Sequence, residues 1–173
     1  MSQQNGNGSG NGQGHHEAGP LFNVHNVYLK DISFEAPYSP QVFNEAWKPK
    51  IDFDLKMGSQ LLSEAESVYE VVLDVTVTVK LGEGEAEKVA FLIEVQQAGA
   101  FTVRSLVDEA LQQVLSTTCA TVLFPYVRET ISSLAARGGF PHLVLPPINF
   151  EAMYAHHIAT KDKEEIKTGT EVI

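Results

Sequence analysis

Residues 68–81, VYEVVLDVTVTVKL, place an apolar side chain at every odd position: Tyr69, Val71, Leu73, Val75, Val77, Val79 and Leu81. From Glu70 onward the even positions are mostly polar: Glu70, Asp74, Thr76, Thr78 and Lys80. Successive side chains of a strand point to opposite faces, so this pattern predicts a long β-strand with one apolar face and one wet face. After a turn at Gly82–Glu83–Gly84, the run VAFLIEV places Val89, Phe91, Ile93 and Val95 on one face, with Leu92 and Glu94 on the other. The two runs predict an antiparallel hairpin whose apolar face must be covered by something else in the chain.

The remaining segments supply both partners for that hairpin and its cover. A first strand is expected from Leu21 to Ala36, with Phe22, Val24, Tyr28, Ile32 and Phe34 on one side and Asp31, Ser33 and Glu35 on the other. Pro37 and Pro40 end it, because proline cannot donate to a ladder. A crossover carrying Phe43 and Trp47 leads to a short second strand, in which Ile51, Phe53 and Leu55 alternate with Asp52 and Asp54. Gly58–Ser67 reads as a loop with some helical character, and the last strand continues through Phe101 and Val103.

The period then changes from 2 to 3.6. Leu106, Val107, Ala110, Leu111 and Val114 define one helical face, and Leu123, Val127, Ile131 and Leu134 define a second helix, with Pro125 placed near its first turn. Arg137 followed by Gly138–Gly139 is a helix stop. An extended, proline-rich stretch, FPHLVLPPIN, ends at Asn149, which can cap a final helix containing Phe150, Met153 and Tyr154. Strands first and helices afterwards predict an α+β fold: a four-stranded antiparallel sheet with helices packed on one face.

At 173 residues the chain is close to the ~150-residue prior for one domain. The expected division is a Gly/Asn-rich disordered tail over 1–20, a folded domain over 21–160 and a flexible charged tail over 161–173. Twelve basic residues against 22 acidic ones give a formal charge of −10, with no basic stripe of the kind that binds nucleic acid. Cys119 is the only cysteine, which excludes a disulfide framework or a thiolate metal cluster. No segment reaches ~18 consecutive apolar residues and the N-terminus lacks a signal-peptide pattern, so a cytoplasmic protein that does not insert into membranes is expected.

Catalytic motifs are also missing. There is no G-x-S-x-G, no P-loop and no H-E-x-x-H. His156 and His157 are adjacent, so on a helix they diverge and cannot share a metal. Arg128 and Glu129 are likewise adjacent and do not face each other. Neither an enzyme, a metal nor a cofactor is expected.

Four segments in this order resemble the protein-export chaperone family SecB: KDISFEAP (Lys30–Pro37), VYEVVLDVTVTVKLG (Val68–Gly82), FLIEVQQAG (Phe91–Gly99) and LFPYVRETISSLAARGGFPHLVLPPINFEAMY (Leu123–Tyr154). The resemblance spans nearly all of 21–160, although Ile93 and Ala98 stand where some relatives carry cysteine and glycine. It implies a homotetramer, a dimer of dimers, that holds unfolded precursor proteins without ATP and passes them to the export motor ATPase SecA. It further implies an acidic patch that docks the motor's basic, zinc-bearing C-terminal element, and it assigns that patch to Asp31, Glu35, Leu92 and Glu94. Strand parity agrees, since Asp31 and Glu35 share a face, as do Leu92 and Glu94.

Large apolar residues in loops and at element ends suggest a surface for unfolded clients: Phe43, Trp47, Phe53, Phe140 and Tyr154. Other readings of the same residues are a SecB-like chaperone serving a toxin–antitoxin system, or a carrier enclosing a small apolar ligand.

Overall fold

The computed structural model describes residues 21–168, with side chains described through residue 160. The Gly/Asn-rich tract 1–20, with its His15–His16 pair, and residues 169–173 lie outside the described residues.

The expected α+β architecture is present. Strands β1 (Leu21–Glu35), β2 (Lys50–Ser63), β3 (Val68–Leu81) and β4 (Lys88–Arg104) form a four-stranded antiparallel sheet in the order β1-β4-β3-β2. The 68–81 alternation is realised in β3, where Val71, Leu73, Val75 and Val77 are fully buried while Asp74, Thr76 and Thr78 face outward. Together with Phe91, Ile93, Val95 and Phe101 of β4 they form the sheet side of the core.

Strand β2 is longer than its sequence pattern suggests. It pairs with β3 from Lys50↔Lys80 to Ser63↔Val68, so 58–63 is strand rather than loop, and the hairpin turn lies at 64–67. Gly58 and the polar Ser59 and Gln60 weaken the alternation there because β2 is an edge strand with little to bury.

Parity is also broken in β1 and β4. Register shifts between Val24 and Asn26 and between Leu29 and Asp31 put an extra residue into β1 at His25 and at Lys30. Each bulge flips the faces once. Phe22, Val24, Ile32 and Phe34 therefore lie on the core face as expected, but between the bulges Val27 and Leu29 take that face and Tyr28 turns outward. A shift between Val79 and Lys80 sets Val89 opposite Lys80, so Val89 leaves the face it was expected to share with Phe91.

The two expected helices are one continuous rod. Helix α1 (Asp108–Val114) passes through a π-helical turn, Leu115–Cys119, into α2 (Ala120–Arg137). Leu106 and Val107 precede it, and Pro125 sits inside α2 rather than in a first turn. Pro125 and Thr121 are both exposed, so water can satisfy the carbonyl that the proline cannot. Thr117 and Thr121 donate their hydroxyls to the carbonyls four residues back, at 2.8 Å each, beside the widened turn.

Leu123, Val127 and Ile131 seal the rod onto β3 and β4. Gly138 ends α2 against the Phe34 ring, where a Cβ would collide with it. Asn149 accepts the Ala152 amide at 2.9 Å and caps α3 (Phe150–Thr168), as expected. Helix α3 continues to Thr168, so the expected charged tail begins as helix.

Candidate functional site: two faces of one sheet

A helix is about 10 Å across and strands lie about 4.8 Å apart, so one rod covers two strands and leaves the flanks of a four-stranded sheet bare. That is what the packing shows. Phe22, Val24, Leu29 and Ile32 of β1 and Ile51 and Phe53 of β2 all point to the helix side yet remain exposed.

Near the end of β1 an aromatic cluster fills the gap between the crossover and the end of α2. Phe140 lies 4.6 Å from Phe91, 5.1 Å from Phe43 and 5.9 Å from Trp47, measured between ring centres. Phe43 and Trp47 are exposed above it and line a cavity of about 390 Å³ with Val42, Gly139 and Pro141. Phe140 itself is only 6% exposed. This corrects the sequence expectation: Phe140 is a core residue that forms the floor of the cluster, because four other rings converge on it.

Beside β2, a larger hollow of about 840 Å³ runs between Leu55 and Met57 of the strand, Leu115 of the rod and Met153, Tyr154 and Ile158 of α3. Tyr154 therefore belongs to a different depression from Phe43 and Trp47. Phe53 lies two residues from Leu55 on the same face of β2. From sequence, Leu55 and Met153 are apolar residues of a strand and a helix and not candidate client contacts; Met57 joins them only once the strand is extended past Leu55. Arg128 braces the proline-rich stretch by donating from Nε to the Leu145 carbonyl at 2.8 Å, so it is a structural link and not half of an acid/base pair.

The outer face has a different chemistry. Strand pairing aligns its residues in rows: Glu35–Leu92–Thr78–Asp52, Ser33–Glu94–Thr76–Asp54, and Asp31–Gln96–Asp74–Lys56. Asp31, Glu35, Leu92 and Glu94 thus come together at the β1–β4 end of the face. Ser33 donates to Glu94 at 3.1 Å and Gln96 to Asp74 at 3.3 Å. On the β2 side the acids have cations: Lys80 holds Asp52 at 2.8 Å and Lys56 lies 3.6 Å from Asp54. Among the described residues, no ion pair reaches Asp31, Glu35 or Glu94. Asp74 was visible in the sequence as a polar face residue, but its place in one row with Asp31, across Gln96, emerges only from the register.

Farther along the outer face, Glu70 is buried. Its carboxylate receives the Tyr28 hydroxyl from β1, Gln60 Nε2 from β2 at 2.6 Å, and Lys30 Nζ from β1 at 3.0 and 3.1 Å. Ala98 and Ala100 of β4 are small enough to let the β1 side chains pass over them. The Tyr28 hydrogen bond holds Glu70 below the usual carboxylate range against the opposing pull of burial, and the same bond raises Tyr28 to about 12. Cys119, in the π turn, is fully buried, and burial pushes its thiol up to about 12, opposite to the lowering that a helix start would give.

Among the described residues, no group of three or more His, Cys, Asp or Glu is placed to hold a metal, and no helix is long and apolar enough to cross a membrane. An α+β scaffold with bare apolar flanks on one face and unpaired acids on the other defines a protein-binding module.

The family profile for the preprotein translocase subunit SecB matches residues 15–161. The chain is 44% identical to the protein-export protein SecB of Hahella chejuensis over 88% of this chain and 92% of that one. It is 43% identical to that of Stutzerimonas stutzeri over 92% of each. Among solved structures, a SecB-like chaperone of Mycobacterium tuberculosis, in complex with a ChAD peptide from an antitoxin, shares the fold at a TM-score of 0.61 and 17% identity, covering 73% of this chain and 90% of that one. The chain belongs to the SecB family of protein-export chaperones.

Proposed function

We propose that this chain is a cytoplasmic, ATP-independent holdase that keeps precursor proteins unfolded and hands them to the motor SecA, working as a homotetrameric dimer of dimers. The observation that carries the proposal is the chemical contrast between the sheet's faces, with apolar hollows on the helix side and, among the described residues, acids without ion pairs on the outer side. Apolar hollows beside β1 and β2 offer non-directional contact, which suits clients of many sequences and finds a partner only in chains that expose apolar surface. Phe43 and Trp47 over the Phe140 floor, with Phe53 and Tyr154 beside the β2 hollow, are the proposed client contacts.

The uncompensated carboxylates of Asp31, Glu35 and Glu94 around half-buried Leu92 suit a basic, zinc-bearing element of the motor. Exposed charges act over roughly 8–10 Å at physiological ionic strength and steer encounter as well as binding. Export is favoured over a toxin–antitoxin role because relatives near 44% identity are export proteins, whereas the antitoxin-bound chaperone shares 17%.

The test is refolding of a slow-folding precursor with stoichiometric chaperone and no nucleotide. Retarded refolding, with no binding once the precursor is native, is expected. Refolding at the spontaneous rate contradicts the holdase reading.

A further inference from the structure

Strand β1 brings one lysine, Lys30, onto the outer face, next in sequence to Asp31. A free ammonium there would oppose a basic partner and compete for the Asp31 and Asp74 carboxylates. Instead its Nζ is tied to both oxygens of Glu70, whose side chain is 5% exposed while that of Lys30 is 38% exposed. Lys30 follows Tyr28 onto the outer face by ordinary alternation, and the second β1 bulge, which it occupies, lets its sequence neighbour Asp31 share that face. Gln60 and Tyr28 fill the remaining acceptor sites of Glu70, so the carboxylate is fully bonded and has one orientation.

We propose that Glu70 is a positioning residue for motor docking: from within the sheet face, and without touching the partner, it neutralises and holds back Lys30 so that the β1–β4 end presents uncompensated negative charge. This rests on the docking reading given above. The network spans β1, β3 and β2, so the docking charge carried on β1 and β4 is set in part from β3 and β2, which supply none of the proposed contacts.

The experiment titrates the zinc-loaded basic C-terminal peptide of the motor into the full-length chaperone at low and high salt. Glu70→Gln frees the Lys30 charge, and Kd rises by roughly two- to threefold for each peptide cation within about 8 Å. Lys30→Gln moves Kd the other way, because the Glu70 charge is now uncompensated. The double variant Glu70→Gln, Lys30→Gln returns to the wild-type value, and all differences shrink with salt.

A network that merely stiffens the sheet predicts that both single variants weaken binding and that the double variant is worst; that result overturns the inference, as does an unchanged Kd in Glu70→Gln. Lys30→Gln keeps the buried carboxylate bonded to Tyr28 and Gln60 and reads the sign of the effect even if Glu70→Gln fails to fold. Absence of peptide binding by the wild-type protein instead overturns the docking reading itself.

Discussion

Glu94 of β4 sits directly opposite Ser33 of β1, whose hydroxyl donates to its Oε2 at 3.1 Å. The bond fixes the carboxylate over the strand pair, one row from Glu35–Leu92 and one row from Asp31–Gln96. Ser33→Ala removes a donor but no charge, and Glu94 is exposed. Motor-peptide affinity should therefore fall by less than about tenfold, the scale of one hydrogen bond to a charged group at its weak end, with tetramer mass and melting temperature unchanged. Isothermal titration beside a thermal melt checks both.

Variants of the aromatic cluster test stability apart from the proposed client contact. Phe140 fills the space between Phe34, Phe91, Phe43 and Trp47, so Phe140→Ala should cost about 3–5 kcal/mol of stability by leaving a cavity. Trp47 is 39% exposed at the mouth of the same cluster, and Trp47→Ala should weaken precursor binding several-fold with a stability loss nearer the ~1 kcal/mol average for point changes. Urea denaturation alongside a client-binding assay distinguishes them.

Where the sequence could be read, local periodicity was strong and tertiary demands agreed with it. Strand β3 alternates from Leu73 to Leu81 because both its neighbours pair in regular register over most of its length, and its inner face is covered by the rod. The exceptions to alternation in β1, Asn26 and Lys30 at positions that parity assigns to the core, are the trace of the two bulges. They read as tolerated defects because a bulge changes which residues share a face without changing composition. Strand β2 escaped beyond Leu55 because an edge strand with a bare inner face has no need of strict patterning. The continuous rod was divided because Pro125 is a poor helix-interior residue, and only its exposed position makes it acceptable. Parity pairs Asp31 with Glu35 and Leu92 with Glu94, and the family resemblance joins the two pairs into one set; the Glu70 network joins residues from three strands and exists only through register.

Cys119 gives a chemical probe of the rod. Its thiol is fully buried and raised to about 12, so the native protein should resist iodoacetamide at pH 8 and react promptly in denaturant. A thiol whose folded value lies above its unfolded value of about 8.5 favours the folded state below that unfolded value and loses the contribution as pH rises toward 12. Tyr28, also raised to about 12, adds to the same alkaline loss. Stability should decline from about pH 9 upward, and Cys119→Ala should blunt the first part of that decline.

The proposed tetramer is supported by surface left uncovered in the single chain. Tyr126 on the rod is 51% exposed, and Phe22, Val24, Leu29 and Ile32 are exposed along β1, apolar surface that a partner subunit would cover. Native mass measurement at micromolar concentration should give a tetramer, with Tyr126→Lys shifting it toward smaller species; a stable monomer contradicts the assembly.

The central claim is that one sheet separates two partners, clients on the helix side and the motor on the outer side. Its most direct test is the double reversal Asp31→Lys, Glu94→Lys, measured for tetramer mass, for retardation of precursor refolding and for binding of the motor's zinc-loaded peptide across a salt series. Loss of peptide binding with the tetramer and the refolding delay intact is the predicted result. An unchanged peptide affinity in the folded tetramer, or loss of both activities together, contradicts the division of the two faces.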